Sequence, residues 1–340
     1  MTAKPASAAS LFREKEGAVP NALVLAWTTL GWAASFALMG AASVWLNVLG
    51  VLLCVQTMVL AAYLVHEAAH YTLFATPAAN RRVGEWVGFI AGACYASFER
   101  IRHMHIRHHR DRADVTCFDF KGLMQRSPAL KRVLRALEGA YIPATEILMH
   151  WQVIVRPFFA ASQRQHLPRA AAMLLIRGAL LAALGAWSIK ALLLYAVAYA
   201  LLLHVLNFFD AFHHTFDQYF VEATQPVPME GRDRAYEQAN TYSNVISARW
   251  PVLNLLTLNF GYHNAHHERA AVPWYRLPAV HRELFGGGLP NLMPLPELLR
   301  TWHRHRVQRV DADDYGAPAT GARRADGFVG AHGVSFLTVV

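Results

Sequence analysis

The chain is short of charged residues and of cysteine, and each shortage excludes a class of protein. Only 16% of its 340 residues are Asp, Glu, Lys or Arg, whereas a soluble domain carries about 25%. The three cysteines, Cys54, Cys94 and Cys117, form no CxxC pair, so a disulfide framework is not indicated. The sequence also lacks a CxxCH, a four-cysteine set and a GxGxxG followed by an acidic ribose binder. A fused haem, iron–sulfur or dinucleotide domain is therefore not expected.

The shortage of charge is local, and it locates the membrane segments. No Asp, Glu, Lys or Arg occurs from Gly17 to His66, and only Arg177 and Lys190 interrupt the apolar stretch from about 170 to 209. Because roughly 20 apolar residues cross a bilayer as a helix, each stretch has room for two passes. The sequence therefore predicts four transmembrane helices, at about 21–40, 44–65, 170–188 and 191–210.

The basic residues indicate how these helices are oriented. The formal net charge is +9, and Lys4, Arg13 and Lys15 precede the first span. The turn between the first two spans has no basic residue, and the turn between the last two has only Lys190. The positive-inside bias then places both termini and both large segments in the cytoplasm, at the inner membrane if the source is bacterial. No nucleic-acid-binding motif accompanies the charge, so nucleic acid is not an expected partner.

The expected fold is an all-α membrane protein, with the spans in two hairpins and a helical cytoplasmic cap that holds a metal site. Residues 1–20 are predicted to be an N-terminal cytoplasmic lead. Residues 21–310 are predicted to be the membrane domain, whose cap comprises 66–169 and 211–310. The last segment is rich in Asp, Gly, Ala and Arg without periodicity, so 311–340 are expected to be disordered.

Eight histidines fall in three short boxes whose spacing suits metal ligation. Imidazole is a frequent metal ligand, and residues i, i+3 and i+4 share one face of a helix. HxxHH therefore puts three imidazoles on one stripe, and HxxxH puts two. Converging stripes hold too many nitrogens for one tetrahedral zinc, which indicates a pair of transition-metal ions, with iron as the first candidate. The boxes are HEAAH (His66, His70), HIRHH (His105, His108, His109) and HNAHH (His263, His266, His267).

A ninth ligand is expected where the fourth span ends. The chain there reads NFFDAFHHTFDQY, with Asp210 and His214 one helical turn apart. We predict His214 as the ninth ligand and keep His213 as the alternative; a histidine that caps the helix end is the competing explanation. The isolated histidines are expected at the surface, and these are His150, His166, His281, His303, His305 and His332.

Carboxylates and amides near the boxes are predicted to surround the ligands. A carboxylate can accept the second ring N–H of a ligand histidine and so fix its tautomer, and an asparagine can hold a metal-bound water. The candidate acceptors are Glu67, Asp111, Asp114, Asp210 and Glu268, and the candidate amides are Asn207 and Asn264.

Two other classes of protein compete with a di-iron enzyme. HEAAH alone matches the zinc-protease pattern of two histidine ligands and a glutamate base. A zinc intramembrane protease needs only one further ligand, however, and leaves most of the clustered histidines unexplained. A polytopic metal transporter would carry its ligands within the spans, whereas the boxes lie just outside them. A site for two metal ions accounts for all three boxes.

The three boxes, interleaved with two hairpins of spans, resemble the integral-membrane fatty acid desaturase and hydroxylase superfamily over roughly residues 20–300. The resemblance implies a mushroom-shaped helical protein with a cytosolic cap and two iron ions, held by the eight box histidines and His214. In acyl-CoA desaturases of this family an asparagine one turn before that last histidine holds a water, and Asp210 stands at that spacing here. The first box is HxxxH, where many acyl-CoA desaturases have HxxxxH. This favours similarity to bacterial acyl-lipid desaturases or to carotenoid ketolases and hydroxylases.

The resemblance also implies an activity and its partners. We expect an enzyme that uses O2 and external electrons to introduce a double bond into a fatty acyl chain. A hydroxylase or ketolase of an acyl chain or a carotenoid is the alternative, because the same centre can do either and the outcome depends on where the substrate is held. The membrane location suits a lipid or acyl substrate. A separate ferredoxin-like or cytochrome-type donor is expected, since no redox domain is fused to the chain.

Overall fold

The longest helices are the apolar ones, and the chain has the all-α membrane fold that its sequence predicts. The computed structural model describes residues 11–216, 220–222, 226–286, 291–319 and 323–332. The helices are α1 (Ala18–Gly40), α2 (Val44–Ala69), α3 (Pro77–Ala91), α4 (Phe98–Asp111), α5 (Phe120–Arg126), α6 (Pro128–Gly139), α7 (Ala144–Phe159), α8 (Leu167–Trp187), α9 (Ile189–Ala211), α10 (Arg234–Ala239), α11 (His263–Glu268), α12 (Leu277–Phe285), α13 (Leu295–Arg304) and α14 (Arg306–Arg309). Two short strands, β1 (Val115–Thr116) and β2 (Phe220–Val221), pair in parallel.

Within the described part of the chain, four helices are long and apolar enough to cross a membrane. They are α1, α2, α8 and α9, with the turn at Ala161–His166 continuing into α8. This confirms the predicted number of spans. The third span begins at Ala161 instead of near 170 when the preceding turn is included. Helix α2 runs on to Ala69 instead of ending near 65. Because no proline or glycine interrupts it after Gly50, α2 carries the first histidine box out of its apolar segment.

Small and polar residues let α1 and α2 approach closely. The Asn47 amide donates to the carbonyls of Leu38, Met39 and Ala41 at 2.9–3.0 Å, which satisfies carbonyls that the end of α1 leaves without partners. A Cβ on Gly50 would lie 2.8 Å from the Met39 nitrogen, so only glycine fits there. The two helices are thereby fixed in register next to the turn that joins them.

The segment after α2 folds back as two capped helices. The Thr76 hydroxyl accepts from Ala79 N at the start of α3, and Gly92 ends that helix with φ at +92°, a conformation that favours glycine. The Ser97 hydroxyl then accepts from Arg100 N to begin α4. Arg169, at the start of α8, holds this connection by donating to the Cys94 carbonyl at 2.9 Å. The result is that α4 is placed with its histidines facing the end of α2.

The described residues after Val310 pack against the rest of the protein, unlike the disordered tail that their composition predicts. Tyr315 and Phe328 are fully buried, and Ala331 N donates to the Ala211 carbonyl at 2.9 Å. The physical reason is that this segment covers the end of α9, whose last carbonyls would otherwise lack a partner.

Three of the isolated histidines predicted at the surface are in fact buried. His150, His281 and His332 are 9%, 7% and 4% exposed. Each has a neighbour that its position in the sequence does not reveal: the Tyr199 hydroxyl is 3.1 Å from His150 Nε2, and the His281 ring packs on Tyr262. His332 lies beside two buried carboxylates, described below.

Candidate metal centre

The three boxes are brought together from distant parts of the chain. The first box lies at the end of α2, the second on α4 and the third on α11. α11 is short, and the chain enters it through Leu258 and Asn259, which both have positive φ. Phe260 then packs edge-on against His66, with ring centroids 4.7 Å apart. This aromatic contact links the third box to the end of α2.

Five of these histidines form one group, the five-histidine group. Their ring nitrogens all lie within 4.8 Å of one another. His70 Nε2 is 2.7 Å from His105 Nε2, and His266 Nε2 is 3.1 Å from the Nε2 atoms of both His66 and His109. The members are His66, His70, His105, His109 and His266.

Four further histidines form a second group, the four-histidine group. His214 Nε2 is 3.1 Å from His108 Nε2 and 2.8 Å from His263 Nε2. His267 completes the group, and its ring lies 4.3 Å from that of His109 in the first group. The two groups are therefore adjacent. The members are His108, His214, His263 and His267.

The second and third boxes are each divided between the two groups in opposite ways. In the second box, positions i and i+4 (His105, His109) join the five-histidine group and position i+3 (His108) joins the other. In the third box, positions i and i+4 (His263, His267) join the four-histidine group and position i+3 joins the five-histidine group. Each HxxHH box therefore reaches into both groups.

The geometry and chemistry of both groups fit first-row metal ions. Two imidazole nitrogens about 2.1 Å from one ion and at right angles are about 3.0 Å apart, and the spacings quoted above are 2.7–3.1 Å. Burial lowers the pKa of His70 to about 3 and that of His267 to about 4, so both rings are neutral and keep a lone pair, as a ligand must. His267 Nε2 is buried and has no hydrogen-bond partner among the described residues. A buried lone pair without a partner is what a metal would satisfy.

Hydrogen bonds on the far side of the rings fix two tautomers of the four-histidine group, and a third ring has a hydroxyl neighbour. His267 Nδ1 donates to Glu237 Oε1 at 2.8 Å, and His108 Nδ1 donates to the Ala113 carbonyl at 3.0 Å. His214 Nδ1 lies 3.3 Å from the Thr241 hydroxyl. With the proton held on Nδ1, as Glu237 and Ala113 require, the Nε2 lone pair is free for a metal.

Only some of the carboxylates predicted to surround the box histidines lie beside one of them. Asp114 Oδ1 is 3.5 Å from His108 Nδ1, and Glu67 Oε1 is 3.5 Å from His66 Nδ1. Asp111 instead pairs with Arg107 at 2.8 Å and with Arg110 at 2.7 Å. Asp114 and Glu67 are therefore the carboxylates of the predicted set that the structure brings beside a box histidine.

Glu268 and Asn264, next to the third box, also have partners of their own. Glu268 pairs with Arg234 at 2.9 Å. The Asn264 amide donates to the Thr241 carbonyl at 2.7 Å and accepts from the Ser243 hydroxyl at 2.9 Å. These contacts hold the loop that carries Thr241 against α11.

The two candidates for the ninth ligand, at the end of α9, have different neighbours. His214 belongs to the four-histidine group, whereas His213 Nε2 lies 2.9 Å from Asn244 Oδ1 and its ring stacks on His263 at 3.9 Å. Asp210 lies in the last turn of α9, one turn before His214. The buried Asn207 donates from Nδ2 to His332 Nδ1 at 3.4 Å.

Sequence reasoning missed Glu237, Thr241 and Asn244 as partners of the histidines. They lie between α9 and the third box, in a segment with no histidine and no recognisable pattern. The only available signal was that Glu237 is an acidic residue in an otherwise polar stretch, and several other carboxylates shared that property.

A second buried cluster lies away from the histidine groups. His332 Nε2 is 3.6 Å from Glu146 Oε1 and 4.0 Å from Glu138 Oε1. Arg306 pairs with Glu138 at 3.1 Å, and the positive charge of Arg309 also acts on these carboxylates. Because the charges of Arg306 and Arg309 already act on both carboxylates, a divalent ion would add like charge. We interpret the cluster as the contact that holds the C-terminal segment in place.

The fold and the site first define a class: an integral membrane protein with four apolar helices and two adjacent groups of histidines that could hold metal. The family model described as "Fatty acid desaturase" matches residues 43–296, which is 254 of the 340 residues. The chain therefore belongs to the fatty acid desaturase family, which confirms the resemblance seen in the sequence. Membership makes it an oxidoreductase of the desaturase or hydroxylase type that acts on acyl chains. No curated protein matches the sequence.

Proposed function

We propose that the protein is a di-iron oxidoreductase that uses O2 and external electrons to introduce a double bond into a fatty acyl chain. The observation that carries the proposal is the convergence of nine imidazoles into two adjacent groups. We propose the five-histidine group as ligands of one iron and the four-histidine group as ligands of the other. One zinc ion would leave about half of these buried lone pairs without a partner.

Iron supplies the chemistry that the side chains lack. When bound, two iron ions would provide the redox capacity to reduce O2 and remove hydrogen from an unactivated methylene, which no side chain can do. The chain's own residues orient the ligands and exclude water. Glu237 and the Ala113 carbonyl hold Nδ1 protons, and Phe260 covers His66 and His263 with ring centroids 4.7 and 5.0 Å away.

The side of the site facing α2 is apolar, which suits an acyl substrate. Tyr63 is fully buried and stacks on Phe260 at 4.5 Å. An acyl chain from the bilayer would thus meet aromatic surface next to the metal ligands. Both termini and the metal centre are proposed to face the cytoplasm, because the basic residues are concentrated outside the apolar segments.

Electrons are proposed to come from a separate ferredoxin-like or cytochrome-type protein. The net charge of +9 would steer an acidic donor toward the cytoplasmic face. Reduction by such a donor should slow as ionic strength rises, because salt screens interactions between exposed charges.

The test combines metal analysis with lipid analysis. The full chain is expressed in a host of known lipid composition, iron and zinc per chain are measured after purification, and total fatty acids are profiled by mass spectrometry. We expect close to two irons per chain and a fatty acid that has lost two hydrogens. Addition of one oxygen would make the protein a hydroxylase or ketolase, and one zinc with no O2 requirement would refute the proposal.

A matched pair of variants on α4 tests the ligand assignment. His108→Ala removes a member of the four-histidine group, whereas His103→Ala removes an exposed histidine of the same helix that belongs to neither group. We expect His108→Ala to lose iron and product and His103→Ala to keep both. Equal iron and product in the two variants would show that His108 is not a ligand.

A further inference from the structure

A cavity of about 320 Å³ lies among the apolar helices. Side chains of α1, α3, α8 and α9 line it, and Trp187 of α8 packs against Gly40 at the far end of α1. The lining is aromatic and aliphatic except for one arginine, one tyrosine hydroxyl and the indole N–H of Trp32. It includes Trp32, Phe36, Phe89, Arg177, Leu181 and Tyr195.

Arg177 carries its charge at about the middle of the bilayer. It lies ten residues into α8, which begins at Leu167, and ten residues rise about 15 Å along a helix. The hydrocarbon core is about 30 Å thick. A charged side chain at this depth is costly, and such residues commonly mark a binding site or a pathway.

The partners of Arg177 in the protein are neutral. Its Nη1 donates to the Phe89 carbonyl at 2.6 Å and its Nη2 donates to the Tyr195 hydroxyl at 3.0 Å. Among the described residues, the groups that act on its charge most strongly are tyrosines and Cys94, and no Asp or Glu forms an ion pair with it. Arg169, on the same helix, differs because it pairs with Glu85.

A structural role explains only part of this arrangement. Arg177 satisfies a carbonyl near the end of α3, and a positive charge is favourable at a helix C-terminus. A neutral donor would satisfy the same carbonyl without placing a full charge in the bilayer. The Phe89 carbonyl and the Tyr195 hydroxyl accept from two of the five guanidinium N–H groups, and Cys94 accepts from a third. Two donors are left for a ligand.

We infer that this cavity binds a single-chain fatty acid, with its carboxylate on Arg177. A guanidinium matches a carboxylate in both charge and planar geometry. A fatty acid has a head of only two oxygens, so its remaining atoms can lie among Trp32, Phe36 and Leu181. A phospholipid would have to bring its phosphate and glycerol esters to the same depth, where they would lack water and polar partners. The inference does not rest on the proposed reaction.

Direct binding to the full chain tests the inference. The metal-loaded protein is placed in phosphatidylcholine nanodiscs and titrated with isotopically labelled hexadecanoic acid; methyl hexadecanoate serves as the uncharged probe. We expect saturable binding of the acid at least tenfold tighter than that of the ester. Arg177→Gln should abolish this preference and Arg177→Lys should keep part of it. Arg164→Gln, which removes an exposed arginine just before α8, is the charge-matched control and should change nothing.

A second variant keeps the test valid if the loss of Arg177 prevents folding. Ala33 also lines the cavity, and Ala33→Phe should weaken binding of acid and ester alike while iron per chain and melting temperature stay unchanged. Equal binding of acid and ester to the unmodified protein would overturn the inference. So would displacement of the acid by phosphatidylglycerol at equal concentration, because the site would then recognise phosphate. Iron content and product are measured separately from fatty-acid binding. The binding result therefore stands even if the proposed reaction is wrong.

Discussion

Replacing Glu237 by glutamine should weaken metal binding by the four-histidine group without unfolding the protein. Glu237 is 6% exposed and joins two partners: Oε1 accepts from His267 Nδ1 at 2.8 Å and Oε2 accepts from Arg112 Nε at 3.0 Å. Burial raises the pKa of this carboxyl, but the hydrogen bonds from His267 and Arg112 outweigh burial and leave the pKa below its ordinary value. The group is therefore an anion at neutral pH that holds the His267 proton on Nδ1.

The expected loss of metal affinity follows from the hydrogen bonds that an amide can form in the position of the carboxylate. Glutamine has one oxygen and one NH2 group, whereas His267 and Arg112 both present donors. One donor must then face the NH2 group, and the remaining hydrogen bond loses its assistance from charge. Substituting a residue that orients a metal ligand typically lowers metal affinity 10–100-fold, which is about 1.4–2.7 kcal/mol. We expect the lower end of this range, because glutamine keeps the shape and one acceptor.

The assay is iron affinity, measured by competition with a chelator, together with iron per chain. Glu268→Gln is the control, because Glu268 is adjacent to the same histidine in sequence but pairs with Arg234. Glu237→Gln should lower the affinity of one of two irons while Glu268→Gln leaves both unchanged. An equal loss in the two variants, or a larger loss in Glu268→Gln, would refute the assignment of Glu237 as the residue that orients His267.

Three other predictions test separate parts of the structure. His214→Ala should lose bound iron while His213→Ala keeps it, measured as iron per chain, because the Nε2 of His214 belongs to the four-histidine group. Asn264→Leu should lower the free energy of unfolding by about 1–3 kcal/mol, since the buried Ser243 hydroxyl loses its acceptor while the Thr241 carbonyl keeps its bond from Asn291 Nδ2; an unchanged melting temperature would contradict this. Burial and the neighbouring Glu138 raise the pKa of Glu146 well above its ordinary 4.5, so the stability gained from its proton is present at low pH and is lost as pH rises through the raised pKa. Glu146→Gln should therefore melt above the unmodified protein at pH 8 and equal to it only below about pH 4, where the carboxyl is protonated in both the folded and the unfolded chain; the same difference at both pH values would contradict the assignment.

The membrane helices were predictable because they depend on composition alone. A segment without charge and of sufficient length has no stable place other than the bilayer, so α1, α2, α8 and α9 could be located to within a few residues. The histidine boxes were equally visible, since the spacing of ligands on a helix is a local property. Both features were therefore available before any contact between distant residues was known.

The division of the boxes between two groups was not predictable from helical spacing. The i, i+3 and i+4 positions share one face, but that face is wide enough for His108 to point away from His105 and His109. Which group each ring joins depends on how α4 and α11 are placed against the end of α2. Contacts such as that of Phe260 with His66 set the position of α11. Periodicity says which face a residue lies on, whereas the position of the neighbouring helix decides what that face meets.

The C-terminal segment shows why composition misleads when a partner lies elsewhere in the chain. Its residues have little tendency to form helix or strand, and no apolar periodicity marks a buried face. Its backbone nevertheless donates from Ala331 N to the Ala211 carbonyl, and its last described side chain, His332, reaches Asn207 on α9 and Glu146 on α7. Because His214 follows three residues after Ala211, a segment outside the matched family region supports the helix end that delivers a proposed metal ligand. A polar segment can thus be ordered by hydrogen bonds to the unsatisfied carbonyls of a helix that it covers. The composition of the segment alone does not predict those hydrogen bonds.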